Sequence, residues 1–267
     1  MPYVIIFAVL GVETLAARLG HAGHTRVCYR RGTEVDALQP ELSLAMPLYD
    51  EAGNVERVVR GLVGVLDRHG VDFEMVLVNN GSRDATGEIL HTLQRADPRL
   101  QVIDLPVNAG YGGGILAGLS RCRGRYVGYA WGDDQIAPED VLRVYQVLKS
   151  DGLDLCKAIR VVREDSTERK VISRVYNRLF GLLFPVRSHD VNGCPKIFRA
   201  EALRTIRPVS RDWFLDAEVM IKAHRHQLRS AEVPVTYRRR RWGGSHVRVA
   251  TLLEFLWNML RYRVTGR

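Results

Sequence analysis

Residues 42–84, LSLAMPLYDEAGNVERVVRGLVGVLDRHGVDFEMVLVNNGSRD, carry the pattern that decides the fold. They open with LSLAMPL (42–48), an apolar run of strand length. Asn54 is then placed to cap a helix, VERVVRGLVGVLDRH, in which Val55, Val58, Val59, Leu62, Val65 and Leu66 fall on one face. FEMVLVN (73–79) reads as a second strand, and NGSRD as a turn into a second helix over Thr86–Ala96.

The alternation continues outward. LQVIDL (100–105) is a third strand, NAGYGGG (108–114) leads into the helix ILAGLSRC (115–122), and GRYVGYA (124–130) is the next strand. Pro138 opens PEDVLRVYQVLKS, with proline in the first turn and acids after it, as helix starts prefer. Strands and helices alternating at this spacing predict a parallel sheet covered by helices on both faces. Ligands of such sheets bind outside the carboxyl ends of the strands. Three polar clusters fall there, PLYDEAGN (47–54), NNGSRD (79–84) and WGDDQ (131–135), so they are expected to share one crevice.

After residue 150 the pattern loosens. LDLCKAIRVVRED (153–165) reads as a strand and loop bearing Lys157, Arg160 and Arg163, and ERKVISRVYNRLFGLLF (168–184) as a basic amphipathic helix. DVNGCPKIFR (190–199) reads as a loop and short strand, WFLDAEVMIKAHRH (213–226) as a helix and SAEVPVTYRRRR (230–241) as a basic strand. VRVATLLEFLWNMLRYRV (247–264) closes as an apolar helix with arginines at both ends. No repeat or low-complexity linker interrupts the chain. The expected organisation is therefore a segment of undefined structure over 1–40, a catalytic domain over 41–246 and a C-terminal amphipathic helix over 247–267.

The 267 residues, 46% hydrophobic and 26% charged, suffice for a core without staples. Four widely spaced cysteines with no CxxC pair argue against a disulfide framework or zinc site and favour a reducing compartment. The net charge of +9 calls for an anionic partner, whether nucleic acid, lipid or phosphorylated substrate. VIIFAVLGV (4–12) is too short to span a bilayer and lacks the basic flank of a signal peptide. His21 and His24 have a metal-like spacing but no further ligands, so they are read as exposed histidines.

Four motifs carry candidate chemistry. GYGGG (110–114) precedes a helix and could hold phosphate, but it fits neither nucleotide-binding fingerprint, so a packing role is expected. Asn80-Gly81-Ser82 forms a glycosylation sequon by chance at the crevice. Arg238–Arg241 with Tyr237 and Trp242 lack any recognised nucleic-acid motif, so nucleic acid binding is not expected. Asp133, Asp134 and Gln135 offer hard oxygen donors suited to Mg²⁺ or Mn²⁺, since one or two carboxylates suffice when substrate phosphates complete the shell.

In this order the motifs resemble those of the inverting family 2 glycosyltransferases of GT-A fold, in their polyprenyl-phosphate (dolichol-phosphate-type) mannosyl and glucosyl transferase branch. The resemblance runs from Leu42 to Ser245 and implies a Rossmann-like α/β sandwich with a mostly parallel sheet. MPLYDEAGNV (46–55) is similar to the first-strand motif P-x-Y-N-E-x-x-N, which implies that Pro47, Tyr49 and Glu51 line the nucleotide pocket. VNNGSRDATGEI (78–89) is similar to V-D-D-G-S-x-D-x-T, with Asn79 and Asn80 where the base-reading Asp is expected. Asn both donates and accepts where Asp only accepts, so the base is left open. GRYVGYAWGDDQIAPED (124–140) resembles D-x-D-L-Q-x-P-P-E-D, which implies Asp133 and Gln135 as metal ligands and puts Trp131 in place of a donor-contacting aspartate. The same comparison puts Arg160 at a phosphate-binding arginine and Arg169 and Ser173 at an acceptor-phosphate site. RWGGSHV (241–247) is similar to the closing loop, with His246 replacing a lysine and with Arg240 as its preceding arginine, which the resemblance puts with Arg160, Arg169 and Ser173 at the acceptor phosphate.

The resemblance implies hexose transfer from a nucleotide-sugar to a polyprenyl phosphate, with Mg²⁺ or Mn²⁺, at the inner face of the cytoplasmic membrane. Asp133, Arg160 and Arg169 would stabilise the charges of leaving diphosphate and incoming phosphate. Asp216 and Glu218 are the base candidates should the acceptor be a hydroxyl, with orientation of arginines as their alternative role. A third possibility is a non-catalytic relative that binds nucleotide or lipid, given the replacements at Asn79, Asn80 and Trp131. The two basic helices near the C-terminus would rest on anionic lipid or else pack on the sheet.

Overall fold

The computed structural model describes residues 39–164, 167–240, 242 and 249–266. The segment 1–38, with VIIFAVLGV, His21, His24 and Cys28, lies outside them, as do Ser245 and His246 of the closing loop. A seven-stranded sheet runs in the order β3-β2-β1-β4-β6-β5-β7. Its strands are β1 Leu42–Leu48, β2 Phe73–Asn80, β3 Leu100–Leu105, β4 Tyr126–Tyr129, β5 Leu155–Arg163, β6 Lys196–Arg199 and β7 Ser230–Tyr237. The helices are α1 Val55–Arg68, α2 Thr86–Ala96, α3 Gly110–Leu119, α4 Pro138–Ser150, α5 Thr167–Leu183, α6 Ala200–Ile206, α7 Leu215–Arg225 and α8 Val249–Thr265.

Side-chain alternation along β1 divides the core in two. Leu42, Leu44, Met46 and Leu48 enter a cluster with Val55, Val59, Leu62 and Leu66 of α1 and with α4. Ala45 enters a second cluster with Tyr129, Phe180, Phe214 and Phe255 on the opposite face. A buried Leu in such a cluster contributes about 1.5–3 kcal/mol, so the valine and leucine stripe of α1 is its main docking surface. On the second face a small residue is required. The Cβ of any side chain at Gly118 would sit 2.7 Å from the Ala45 Cβ, so α3 lies against the sheet only because both positions are small.

Most expectations hold, and three change. The sheet is mostly parallel, as expected, with β6 alone pairing antiparallel, with both β4 and β5. α6, seven residues long, was not anticipated, being too short for a periodic signal. Asn54 occupies the N-cap of α1 but makes no side-chain cap bond. Its amide donates instead to Glu51 Oε2 at 2.7 Å and to the Trp242 carbonyl. The glycine run lies inside α3 rather than before it, with Gly110 at φ +80° as its first residue. The packing role expected of it is seen: a Cβ at Gly112 would collide with the backbone of Ser210–Asp212, and one at Gly114 with Asn80 and Pro47.

Parallel pairing places β1, β2 and β4 in register, Leu48 beside Asn79 and Ala45 beside Tyr129. Their carboxyl ends therefore open together, and the three polar clusters do share one side of the sheet.

Candidate donor and acceptor cleft

A cleft of about 400 Å³ lies over those strand ends. Of the expected residues, Pro47, Tyr49, Glu51, Asn80, Trp131, Asp133, Gln135, Arg160, Arg169, Ser173, Asp216 and Arg240 all line it. Asn79 is not among its lining residues. Its side-chain amide donates to Asp104 Oδ1 of β3 at 2.8 Å, and its Oδ1 accepts the Ser82 N–H, so it fastens the β2 turn to the neighbouring strand.

Asn80 explains in part why an amide replaces the usual acid. Its Oδ1 accepts the Ala109 N–H at 2.9 Å while its Nδ2 donates to the Gly110 carbonyl at 3.1 Å. A carboxylate has no hydrogen for that carbonyl, so an Asp here would loosen the entrance of α3.

On the β1 side two buried carboxylates meet one cation. Arg240 Nη2 lies 2.9 Å from Glu51 Oε1 and 3.3 Å from Asp133 Oδ2. Burial raises both carboxyls above their ordinary range, with Arg240 opposing that rise in each case. Asp133 Oδ1 also accepts the Gln135 N–H. The Gln135 side chain is held at both ends: Tyr237 OH donates to its Oε1 at 2.7 Å, and its Nε2 donates to the Arg238 carbonyl. Asp134, at φ +60°, points its carboxylate to Arg57 at 2.8 Å and does not line the cleft.

Trp131 and Asp133 both line the cleft from beyond the strand: β4 ends at Tyr129, and 132–134 is a bend. Trp131 is fixed by its indole N–H, which donates to Tyr111 OH at 3.1 Å, and by an edge contact with Tyr237. Tyr111, in the glycine run, was not singled out in the sequence because its stacking partner Trp213 lies a hundred residues away, ring centroids 4.6 Å apart.

Arg160 and Asp216, which line the cleft, are each held from behind by a buried ion pair. Arg160 forks onto Asp190 at 2.6 and 2.7 Å, with 6% and 7% of the two side chains exposed. Burial would raise the Asp190 carboxyl, but Arg160 and Lys157 outweigh it and hold it far below the usual range. Lys157 pairs with Glu232 at 2.9 Å, and burial together with nearby Lys196 lowers its pKa. Lys196, fully buried, donates to Asp216 Oδ1 at 2.5 Å. Asp216 further accepts Tyr111 OH at 2.8 Å and Tyr129 OH at 2.7 Å, and burial drives both phenol pKa values well up. Glu218 is likewise occupied, accepting the Val209 and Ser210 N–H groups and pairing with Lys222. Sequence reading missed Lys196, Asp190 and Glu232, since charged residues flanking short strands give no sign of burial.

The donor set suits a hard divalent cation. Glu51 and Asp133 supply carboxylate oxygens, Gln135 an amide oxygen with one lone pair left, and the Arg240 guanidinium shows where positive charge is favoured. Among the described residues no cluster of three His, Cys, Asp or Glu ligands exists, so substrate phosphates would have to complete the shell.

Comparison with known proteins agrees with this geometry. Residues 43–207 match the family model described as Glycosyl transferase family 2. The undecaprenyl-phosphate 4-deoxy-4-formamido-L-arabinose transferase of Edwardsiella ictaluri is 26% identical over 220 residues, 82% of this chain and 66% of its own. The dodecaprenyl-phosphate galacturonate synthase of Rhizobium johnstonii is 30% identical over 179 residues, 66% of this chain and 53% of its own. The chain thus spans less than two thirds of the length of these relatives. Glucosyl-3-phosphoglycerate synthase from Mycobacterium tuberculosis, solved with Mn²⁺, UDP and phosphoglyceric acid, superposes with TM-score 0.63 at 18% identity, covering 86% of this chain and 78% of that one. Staphylococcus aureus TarS with UDP-GlcNAc gives 0.57 at 17% identity, over 82% and 65%. The likeness to these structures establishes a GT-A type α/β fold.

Proposed function

Since the chain belongs to glycosyl transferase family 2, we propose that it moves a hexose from a nucleotide-sugar to a polyprenyl phosphate, with inversion and a divalent cation. Two relatives are named for transfer to undecaprenyl and dodecaprenyl phosphates, which supports that acceptor class. The observation that carries the choice is the state of Asp216, the candidate base. Its carboxylate is buried against Lys196 and two phenols, so it is poorly placed to take a proton from an acceptor. A hydroxyl acceptor needs such a base; a phosphate acceptor is already ionised.

In this reading Glu51, Asp133 and Gln135 hold the cation, which supplies positive charge to the departing diphosphate. Arg240 bonds both carboxylates and serves the same end from the protein side. Arg169 and Ser173 lie one turn apart on α5 and both line the cleft, a spacing that suits them to the acceptor phosphate. Arg160, forked onto Asp190, shapes the wall that presents Trp131 and Tyr237, over whose rings it sits at 5.7 and 5.2 Å. Trp131 then offers the donor a flat aromatic face where the resembling family has a carboxylate.

The C-terminal helix and α5 form the membrane-facing element of the proposal. They pack on each other, and expose Val171, Val175 and Leu182 of α5 and Trp257, Leu260 and Val264 of α8 beside Arg174, Arg178, Arg261 and Arg263. Among the described residues no helix is long and apolar enough to cross a membrane. Apolar side chains among arginines suit a surface resting on the anionic cytoplasmic leaflet.

The test is turnover: protein, Mn²⁺, a short-chain polyprenyl phosphate and a panel of nucleotide-sugars. The expected products are nucleoside diphosphate and a glycosylated lipid phosphate. Release only with a hydroxyl acceptor, and none with any polyprenyl phosphate, would replace the phosphate reading with the hydroxyl one.

A further inference from the structure

Glu51 and Asp133 are joined behind the cleft by a ring of polar contacts. Asp134, the residue after Asp133, has a left-handed backbone at φ +60°. Its Oδ2 accepts from Arg57 Nε at 3.1 Å and from Arg57 Nη2 at 2.8 Å. The same Nη2 donates to Asn54 Oδ1 at 3.3 Å, and the Asn54 amide donates to Glu51 Oε2 at 2.7 Å. Arg240 closes the ring, with its Nη2 on Glu51 Oε1 and Asp133 Oδ2. Asn54, Arg57 and Asp134 are not among the residues lining the cleft, so their influence on it passes through Glu51 and Asp133.

Two members of the ring go against local preference. Arg57 falls in the first turn of α1, where the helix dipole disfavours a cation. Asp134 carries a side chain at a φ that side chains rarely adopt. The bond from the Gln135 N–H to Asp133 Oδ1 spans Asp134, so the aim of the Asp133 carboxylate depends on that backbone conformation. We propose that Arg57 is a positioning residue for the cation site. It holds Asp134 in the left-handed conformation and steadies the Asn54 amide behind Glu51, which together fix the spacing of the two carboxylates. This rests on the reading of Glu51 and Asp133 as cation ligands. The two arginines then have opposite parts. Arg240 bridges the carboxylates and competes with a cation, whereas Arg57, its charge offset by Asp134, arranges them for one. The Arg57 side chain is 42% exposed, so its ion pair adds little to the stability of the fold.

The experiment is Mn²⁺ binding, followed by electron paramagnetic resonance with UDP present, on the unmodified chain, Arg57→Ala and Arg57→Ala/Asp134→Gly, with Asp133→Asn as the reference. Arg57→Ala is expected to weaken Mn²⁺ about tenfold, the lower end of what a partner behind a metal ligand contributes. UDP affinity measured without Mn²⁺ should stay within about twofold, and the melting temperature within about 3 °C. Adding Asp134→Gly should cut the loss to about threefold or less, because glycine takes a positive φ without strain. An ion pair that served the fold alone would show no such rescue. Equal Mn²⁺ affinity in Arg57→Ala and the unmodified chain, or a loss that Asp134→Gly leaves in place, would overturn the positioning role while Asp133→Asn still weakens binding. Asp133→Asn binding Mn²⁺ as the unmodified chain does would remove the ligand reading, and the positioning role with it.

Discussion

Two sets of charged groups in and behind the cleft are arranged differently. Near Glu51 and Asp133, the Arg240 guanidinium bonds both buried carboxylates, and Arg169 also favours the charged form of Asp133. Arg160–Asp190, Lys157–Glu232 and Lys196–Asp216 are separate buried or half-buried pairs. The first set bridges two carboxylates through one arginine, and the second joins its partners pair by pair. In the proposed reading, charged side chains of similar type divide into a binding set in the cleft and a scaffold around it, and the division follows partners rather than residue identity. Asp216 and Arg160 were expected among the catalytic groups, and their partners make them positioning residues in this account.

The comparison breaks most sharply at Asp133. Asp133→Ala should lower turnover by about 10³-fold, the scale of losing one preorganised electrostatic group, with little change in melting temperature; nucleoside diphosphate release and a thermal melt read both. Asp216→Asn should do the reverse. It leaves Lys196 charged and buried, costing about 3–5 kcal/mol, seen as a shifted denaturant midpoint.

Asp190→Asn sharpens the same contrast through pH. The folded carboxyl lies below its unfolded value, so its contribution is fully present above the unfolded pKa of about 4 and is lost as pH falls toward the folded one. The stability gap between the unmodified chain and Asp190→Asn should therefore stay constant from about pH 8 to 5 and narrow only below about pH 4, as denaturant melts at each pH would show. Smaller still is Trp131→Asp, which should change the ranking of donors in a competition assay by about tenfold.

How much of this was legible beforehand depended on the range of the cause. β1, α2, β3 and α4 have the limits expected of them, because period and turn chemistry are local. The crevice followed from the strand ends, and most of its expected lining residues do line it. What escaped depended on residues far apart in sequence. Asn54 lost its capping role to Glu51 and Trp242, the latter 188 residues away, and Asn79 turned to Asp104. β6 runs antiparallel because it returns between β4 and β5, which no local pattern of a four-residue strand announces. The buried lysines were hidden for the same reason: Lys196 is an ordinary surface residue type until Asp216 is brought to it by α7.

The account's central claim is that only the Glu51–Asp133 wall accepts a cation. Mn²⁺ binding followed by electron paramagnetic resonance, with UDP present and no turnover required, tests it on four chains. The unmodified protein and Asp190→Asn should bind alike, Asp133→Asn should lose about tenfold or more, and Arg240→Gln should bind several-fold tighter when UDP is left out, because the competing guanidinium is gone. Equal Mn²⁺ affinity in the unmodified chain and Asp133→Asn would contradict the claim.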